Sequence, residues 1–305
     1  MICVLLLFAS NCGSVGKILM KNITEFNFRI EMNFSVIGCG YVGQAVTSYF
    51  SQNLAVSVSV TTTSPEKVAR LETIADQVFV VRGNDSANLE SVLQNQDSVL
   101  LCVGARGGDY QQTYLQTAET LVNVLHKLSS KVQIIYTSTC AIYGNRGGET
   151  IDENSPLAPA SENYRILAAT EQTLLTAANH RLGVCILRLG GIYGPGRELS
   201  RIFSRVAGAT LPGDGSEASN WVHLDDIVGA VAFAYQNQLQ GVYNLVDDSQ
   251  LCRHQIISRT LAKQGLPQVT WNSNQPSTRL HNVRVSNQKL KDAGYQLLHP
   301  QIVFN

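Results

Sequence analysis

The feature that most constrains this chain is a glycine-rich turn between a short apolar strand and a segment with helical period. Residues 33–37 (NFSVI) predict the strand, Gly38-Cys39-Gly40-Tyr41-Val42-Gly43 follows, and QAVTSYFSQ continues as the helix. Gly38 permits a tight turn, Gly40 lets the backbone approach a pyrophosphate, and Gly43 allows the helix to pack closely on the strand. We therefore predict that Gly38, Gly40, Tyr41, Val42 and Gly43 bind a dinucleotide through the free amide groups at the helix start. An ordinary glycine turn is the alternative.

The glycine turn opens a regular alternation of strands and helices. The segments 55–61, 77–81, 98–104 and 132–138 predict strands, and the segments 65–74, 86–94 and ~111–128 predict the helices between them. Strands that alternate with helices form a parallel, doubly wound sheet. The fold class is therefore α/β, with a Rossmann-type sheet of about seven strands.

The tip of the second strand bears on which dinucleotide is bound. An NAD site usually has an acidic residue here for the ribose 2′-hydroxyl, whereas an NADP site has a basic group. The tip reads Thr61-Thr62-Thr63-Ser64, with Lys67 nearby and no acid before Glu66. We predict that Thr62 contacts the cofactor and favour NADP over NAD, although a solvated helix residue is an equal interpretation of Lys67.

Composition and cysteine usage narrow the class of protein. The chain has 23 basic and 23 acidic side chains and is 44% hydrophobic, so it can build a core and lacks the basic excess expected of a nucleic-acid-binding protein. The seven cysteines form no C-x-x-C pair and the six histidines are scattered, which predicts reduced thiols, a cytoplasmic location and no metal site.

The first 31 residues do not fit the alternation that follows them. Residues 2–9 (ICVLLLFA) are apolar, but a membrane-spanning helix needs about 20 such residues and a signal peptide needs a basic start. We hypothesise that residues 1–31 are an N-terminal appendage, one explanation being a start codon chosen too far upstream. A secretory signal is the alternative, and no membrane association is expected.

Five further segments and a tail carry a resemblance to a known family. They are YTSTCAIYG (136–144), DENSPLAP (152–159), RLGGIYGPGR (188–197), WVHLDDIVGA (221–230), GVYNLVDD (241–248) and RLHNVRVSNQKLKDAGYQL (279–297). In this order the chain resembles the extended short-chain dehydrogenase/reductases, specifically the NAD-dependent epimerase/dehydratase family, over residues ~33–298. Most extended members carry G-x-x-G-x-x-G at the first turn. The G-x-G-x-x-G of this chain is closer to an atypical subgroup.

The resemblance implies a domain layout and further cofactor contacts. It implies a Rossmann NAD(P)-binding domain over residues 32–194 and a mainly substrate-binding lobe over 195–305, from which residues ~221–247 return to the Rossmann core. We also predict cofactor contacts at Gly104 and Gly191. Tyr143 and Tyr193, in two I-Tyr-Gly turns, are candidates for packing against the cofactor, and residues 145–161 are expected to form a long loop beside the ligand.

The family's chemistry uses a Ser/Thr, a Tyr and a Lys. By resemblance Thr139 occupies the Ser/Thr position and Tyr164 lies at or within one residue of the catalytic tyrosine. The lysine is missing, because Ala168 follows Tyr164 by four residues and a frame shifted by one gives Asn163 and Leu167. Either another cation replaces the lysine, or Tyr164 is only a polar residue at a helix start and Thr139 a hydroxyl at a strand end.

The substrate and partners follow from the same resemblance. Family members often bind nucleotide sugars, and Arg197, Arg201, Arg205 and Arg279 could meet a diphosphate, with a solvated basic face as the alternative. Arg201 and Arg205 are expected to share a helix face. His223 either contacts substrate or caps the helix after it. A homodimer through the helices at ~111–128 and ~162–180 is also implied.

These observations predict an NAD(P)-binding oxidoreductase or epimerase of the extended short-chain dehydrogenase type. Its substrate would be a nucleotide sugar or a small carbonyl or hydroxyl compound. The alternative is a non-catalytic dinucleotide-binding sensor or scaffold, which the missing lysine favours.

Overall fold

The structure is a computed structural model that describes residues 32–105, 107–128 and 131–304. The hypotheses about residues 1–31 lie outside these described residues. Strands are β1 (Met32–Ile37), β2 (Val56–Thr62), β3 (Gln77–Val80), β4 (Ser98–Leu101), β5 (Val132–Thr139), β6 (Asn145–Ile151), β7 (Leu182–Leu189), β8 (Gly191–Tyr193), β9 (Thr210–Pro212), β10 (Trp221–His223), β11 (Gly241–Leu245), β12 (Thr270–Asn272) and β13 (Asn282–Val285).

The helices lie mainly between these strands. They are α1 (Tyr41–Asn53), α2 (Val68–Leu71), α3 (Ser86–Leu93), α4 (Thr117–Lys127), α5 (Glu162–Ala177), α6 (Leu199–Phe203), α7 (Leu224–Gln236), α8 (Arg253–Lys263) and α9 (Gln288–Asp292). Three short 3₁₀ turns cover Pro65–Lys67, Cys140–Tyr143 and Ser204–Val206. Among the described residues no helix is long and apolar enough to cross a membrane.

The central sheet has seven parallel strands in the order β11-β7-β5-β4-β1-β2-β3. Alternate side chains of each strand face opposite sides, as the period of two requires. Ile135 joins an apolar cluster with α1 and α7, whereas Ile134 and Tyr136 join a second cluster with α3 and α4. Helices on both faces of a parallel sheet define the doubly wound α/β fold, so the predicted fold class and strand number are confirmed.

The last strand of this sheet comes from late in the chain. Residues Gly241–Leu245 pair with β7 from Cys185 to Leu189 and form the edge of the sheet. Helix α7 packs against α1 and β5, so the segment WVHLDDIVGA leads back to the sheet. The remaining strands form three two-stranded sheets, β8 with β10, β9 with β12, and β6 with β13.

The predicted loop over residues 145–161 is wrong in its first part. Residues Asn145–Ile151 form strand β6, which pairs with β13 in parallel and with a shift in register. Only Ile151 of this strand is buried, so the sequence carries no apolar alternation there. Pairing with a segment more than a hundred residues away stabilises the strand instead.

Two predicted helices also differ in the structure. The helix expected at 65–74 is a 3₁₀ turn over Pro65–Lys67 followed by one turn of α-helix. The helix expected at ~111–128 begins with a π-helical stretch, Gln111–Gln116, that packs on α5. Wide π turns have no sequence signature as simple as hydrophobic period.

Candidate functional site

The glycine turn is tied to the tip of strand β2. Gly38 has φ +92°, and a Cβ there would lie 2.9 Å from the Val103 Cα atom. The Gly38 amide donates to Thr61 Oγ1 at 2.9 Å, and the Cys39 amide donates to the Thr61 carbonyl at 2.8 Å. Thr61 therefore holds the turn in place, a role that the residue pattern did not predict.

The other two glycines of the motif differ in what surrounds them. A Cβ on Gly43 would lie 2.9 Å from the Gly38 carbonyl oxygen and 3.1 Å from Cys102 Sγ, so the helix can approach the strand only with glycine here. A Cβ on Gly40 would meet nothing within 4 Å. Gly40 thus borders open space, as a position approached by a ligand phosphate would.

The start of helix α1 leaves amide groups free at this open space. The first intrahelical bond runs from the Gln44 amide to the Gly40 carbonyl, and within the described residues no group accepts from the amides of Tyr41, Val42 and Gly43. No acidic residue lies in the first turn. Free amides and the positive helix end together favour an anion, so these residues fit the diphosphate of a dinucleotide.

The Tyr41 side chain links the turn to the segment Gly194–Arg197. Its hydroxyl donates to the Pro195 carbonyl at 2.9 Å, and the Arg197 guanidinium lies 5.6 Å from its ring centroid. This contact places Pro195 and Arg197, both from RLGGIYGPGR, beside the predicted phosphate site.

The tip of β2 carries hydroxyl side chains, and the turn after it contains Glu66 and Lys67. Thr62 is buried and its Oγ1 accepts from the Ser64 amide at 3.2 Å, while Glu66 is exposed. Burial raises the pKa of the Cys39 thiol to about 11, and the hydrogen bond with Thr47 and the Lys67 charge offset part of this. Lys67 therefore lies close enough to act on the glycine turn.

Gly104 and Gly191 lie in different surroundings. Gly104 is exposed, lies three residues after the end of β4 at Leu101, and has open space where a Cβ would be. A Cβ on Gly191 would lie 2.9 Å from the Trp221 ring, because β8 pairs with β10 at this point. Packing against Trp221 is therefore reason enough for glycine at 191. A cofactor contact at either residue stays a prediction.

The two candidate catalytic residues flank the carboxyl end of β5. Thr139 ends the strand, and its hydroxyl oxygen accepts from the Ala141 amide at 3.1 Å. Tyr164 lies half-buried in the first turn of α5, where Ser161 Oγ accepts from its amide at 3.3 Å. Helix α5 packs against the turn Cys140–Tyr143 that follows Thr139, so both residues belong to one end of the sheet.

The charge near Tyr164 comes from the C-terminal part of the chain. Burial raises the pKa of Tyr164 and Tyr110 raises it further, whereas the Arg279 guanidinium lowers it. Arg279 Nη2 lies 2.8 Å from His281 Nε2, and the His281 ring centroid lies 6.4 Å from that of Tyr164. Arg279 thus supplies positive charge to a tyrosine that has Ala168 one helical turn further on.

Tyr143 and Tyr193 are buried within the protein, and packing of either residue against the cofactor stays a prediction. Tyr143 is 1% exposed, and its hydroxyl accepts from Arg188 Nη1 at 2.7 Å and donates to Asn244 Oδ1 at 2.9 Å. Arg188 in turn forms three hydrogen bonds with Glu171, at 2.6, 3.0 and 3.1 Å. Tyr193 is 2% exposed and accepts from the Val303 amide. The bonds of Arg188 and Tyr143 thus connect α5 with β7 and β11, whereas Tyr193 is bonded to the C-terminal segment.

The histidines are less isolated than their spacing indicated. His223 caps helix α7, because its Nδ1 accepts from the Asp225 amide at 3.2 Å, so the structure favours the capping alternative for this residue. His299 Nε2 lies 3.1 Å from Asp225 Oδ2, and the imidazole centroids of His223 and His299 are 3.9 Å apart. His223, Asp225 and His299 offer ligand atoms within 4.8 Å of one another, beside a cavity of about 200 Å³. The prediction that the chain holds no metal stays a prediction.

The predicted substrate arginines do not form one group. Arg201 belongs to α6, but Arg205 lies in the 3₁₀ turn that follows, so the expected shared face of one continuous α-helix is wrong. The Arg197 guanidinium lies over the ring of Tyr41, and the Arg279 charge acts on the hydroxyl of Tyr164.

Comparison with known proteins defines the class. Residues 35–245 match the NAD dependent epimerase/dehydratase family, and the chain belongs to this family, as the resemblance implied. It is 31% identical to the protein YeeZ of Escherichia coli over 221 residues, which cover 69% of this chain and 76% of YeeZ.

Solved structures show the same fold. The dTDP-glucose 4,6-dehydratase of Bacillus anthracis in complex with NAD has a TM-score of 0.75 at 18% identity, covering 88% of this chain and 92% of that one. The UDP-glucose 4-epimerase of Thermotoga maritima, solved with UDP-glucose, has a TM-score of 0.74 at 22% identity, covering 88% and 94%.

Proposed function

We propose that this chain is an NAD(P)-dependent oxidoreductase or epimerase that acts on a nucleotide sugar or on a small carbonyl or hydroxyl compound. Its family is NAD-dependent, and the turn at Gly40 offers free amides and open space to a dinucleotide diphosphate. Relatives and structural neighbours include enzymes whose names state nucleotide-sugar substrates.

The observation that carries the proposal is the position of Arg279 beside Tyr164. Burial keeps the pKa of Tyr164 above its usual value, so the phenol is protonated near neutral pH. A phenol O–H donates to a substrate carbonyl oxygen, and the Arg279 charge then stabilises the phenolate that remains. An arginine cannot relay the proton itself, because it does not titrate in this range. The pair is therefore better suited to reduction than to abstraction of a proton.

Each residue has a defined part in this chemistry. The nicotinamide, when bound, supplies or removes the hydride. Thr139 hydrogen-bonds the reacting oxygen, Tyr164 protonates it, and the amides of Tyr41, Val42 and Gly43 hold the diphosphate. We further propose that Thr62 and Gly104 border the cofactor and that Lys67 favours the 2′-phosphate of NADP.

A second candidate function is a dinucleotide-binding sensor or scaffold without turnover. Ala168 one turn after Tyr164 favours it, because a charged lysine would otherwise lower the pKa of the phenol and hold the nicotinamide ribose. The two functions predict the same cofactor binding and differ in hydride transfer.

Titration followed by single-turnover kinetics separates these functions. Fluorescence titration with NADPH and with NADH measures binding, and single-turnover hydride transfer is then followed across nucleotide sugars and small carbonyls. Tyr164→Phe should leave cofactor binding unchanged and slow transfer by about 10²–10⁴-fold. Tyr49→Phe, on the surface of α1, should change neither binding nor transfer. Binding without turnover in every case would establish the sensor.

Three broader expectations remain proposals. We propose a homodimer through α4 and α5, which light scattering tests, and the domain division at 194/195 with a return at about 221–247. We also propose a cytoplasmic location, in keeping with five free cysteines among the described residues.

A further inference from the structure

Glu217 is a buried carboxylate that the protein itself does not satisfy. It lies between β9 and β10, is 6% exposed, and neither carboxylate oxygen has a hydrogen-bond partner among the described residues. An unpaired buried carboxylate is costly, and such a group in a native structure usually marks bound water, an ion or a ligand.

Unpaired donors are buried in the same lobe. Arg253 Nη1 and Trp271 Nε1 have no partner within the described chain, and the Arg253 guanidinium lies 5.3 Å from the Trp271 ring centroid. The Arg253 amide donates to the Glu217 carbonyl at 2.9 Å, which fixes the two residues side by side. Arg279 lies near both side chains, because the Arg253 charge lowers the pKa of Arg279 and the Glu217 charge raises it.

His281 adds a further donor, and its tautomer follows from its neighbour. Burial and the Arg279 charge lower the pKa of His281 to about 4, so the ring is neutral near pH 7. Arginine can only donate, so His281 Nε2 accepts from Arg279 and the proton lies on Nδ1. That Nδ1–H is also buried without a partner in the described residues.

The charges of this group determine what can enter it. Two guanidinium groups and one carboxylate sum to a single positive charge, so one anionic group is neutralised. A diphosphate bound to Arg253 and Arg279 would bring more negative charge than this group neutralises and would place part of it close to the Glu217 carboxylate, and such like-charge contacts are strongly disfavoured. The Glu217 oxygens accept hydrogen bonds only and therefore fit hydroxyl groups.

We infer that Glu217 determines the substrate class: it accepts hydroxyl groups of a compact hydroxylated monoanion whose carboxylate binds Arg253 and Arg279, and it excludes substrates that carry a diphosphate. This inference rests on the proposed function, because the carbonyl or carbinol of that substrate must reach Tyr164, which lies next to His281 and Arg279. It narrows the proposed substrates to small compounds and removes nucleotide sugars from them.

The test uses the full chain and its Glu217→Gln variant, which keeps the shape of the side chain and removes its charge. Isothermal titration with UDP and with inorganic pyrophosphate, carried out with the glycine turn saturated by NADPH, should give Kd values above about 1 mM for the wild-type protein. In Glu217→Gln both affinities should rise by about tenfold or more. Glu72→Gln, at an exposed glutamate, is the matched control and should leave both unchanged.

The second probe is gluconate, a polyhydroxy monoanion. It should bind the wild-type protein, and Arg253→Gln should weaken it by about tenfold. Wild-type binding of UDP as tight as in Glu217→Gln, or no binding of gluconate, would overturn the inference. NADPH and NADH titrations of the same samples report on folding and on the glycine turn. If the wild-type protein binds neither NADPH nor NADH, the proposed function is contradicted. If it binds the cofactor and also binds UDP tightly, only the role of Glu217 is contradicted.

Discussion

Arg279 lowers the pKa of the Tyr164 hydroxyl from the segment between β12 and β13. The pair brings a cation to the tyrosine through tertiary structure instead of through the next turn of the same helix. Because Arg279 opposes the larger effect of burial, its loss leaves burial and Tyr110 acting alone.

Arg279→Gln should therefore raise the pKa of Tyr164 further. Alkaline ultraviolet titration, with Tyr164→Phe subtracted to isolate this residue, should show its transition move to higher pH. Arg279→Lys restores a positive charge and should return the transition towards the wild-type value. An unchanged transition in Arg279→Gln would show that the Arg279 charge does not act on the Tyr164 hydroxyl.

The glycine turn gives a prediction in which two similar substitutions have different effects. Gly38→Ala places a Cβ 2.9 Å from the Val103 backbone at a positive φ, so it should lower the free energy of unfolding by about 1–3 kcal/mol. Gly40→Ala meets nothing within 4 Å and should leave stability within about 0.5 kcal/mol while weakening NADPH and NADH binding. Urea denaturation and fluorescence titration measure the two effects, and unimpaired cofactor binding in Gly40→Ala would argue against a phosphate at this turn.

The parts of the fold that could be predicted are those with a local signal. Strands β1, β2, β4 and β5 are short segments rich in valine, isoleucine and leucine, and the glycine spacing at Gly38, Gly40 and Gly43 has a stereochemical meaning by itself. Strand β6 could not be found in this way, because its stability comes from pairing with β13 and only Ile151 is buried.

The candidate site likewise has residues that a local sequence pattern predicts and residues that only the tertiary structure brings together. Thr139 and Tyr164 could be placed from a family motif, but the residues around Tyr164 come from elsewhere in the chain. Arg279 and His281 reach Tyr164 only through tertiary contacts, and Glu217 has no sequence pattern that predicts a buried carboxylate. The missing lysine was visible in the sequence, whereas the arginine beside the tyrosine was not.

The buried ion pair between Arg188 and Glu171 should be important for stability. The two side chains are 6% and 2% exposed, so removing either partner leaves a buried charge without its counter-ion. Arg188→Met and Glu171→Gln should each lower the free energy of unfolding by about 3–5 kcal/mol. The double variant should lose less than the sum of the two, because it leaves no unpaired charge. Additive losses in urea denaturation would show that the pair is not coupled.

Lys67 should influence the choice between the two dinucleotides. Lys67→Glu removes a basic group near the tip of β2 and adds a carboxylate, which suits a ribose 2′-hydroxyl. We expect the ratio of NADPH to NADH affinity to fall by about tenfold or more. Lys263→Glu, on α8 in the C-terminal part of the chain, is the control and should leave that ratio unchanged. A wild-type protein that binds NADH tightly and NADPH not at all would contradict the reading of this strand tip.

Asp247 should make stability depend on pH near neutrality. It is 8% exposed, its Oδ1 accepts from the Ser249 amide at 2.7 Å, and its Oδ2 is buried without a partner among the described residues. Burial raises the pKa of this carboxyl from 3.8 to about 7 in the folded protein. The folded state therefore holds this proton at pH values where the unfolded chain has lost it.

The sign of the pH effect follows from that difference in bound protons. Between about pH 4 and about pH 7 the folded protein binds more protons than the unfolded chain, so stability falls as pH rises, by up to about 1.4 kcal/mol per pH unit from this group. Asp247→Asn cannot titrate and should flatten that part of the profile. Urea denaturation of both proteins at about pH 5 and about pH 7 measures the difference. Equal slopes for the two proteins would show that Asp247 is already ionised in the folded state, and its Oδ2 would then need a donor or a cation bound from solution.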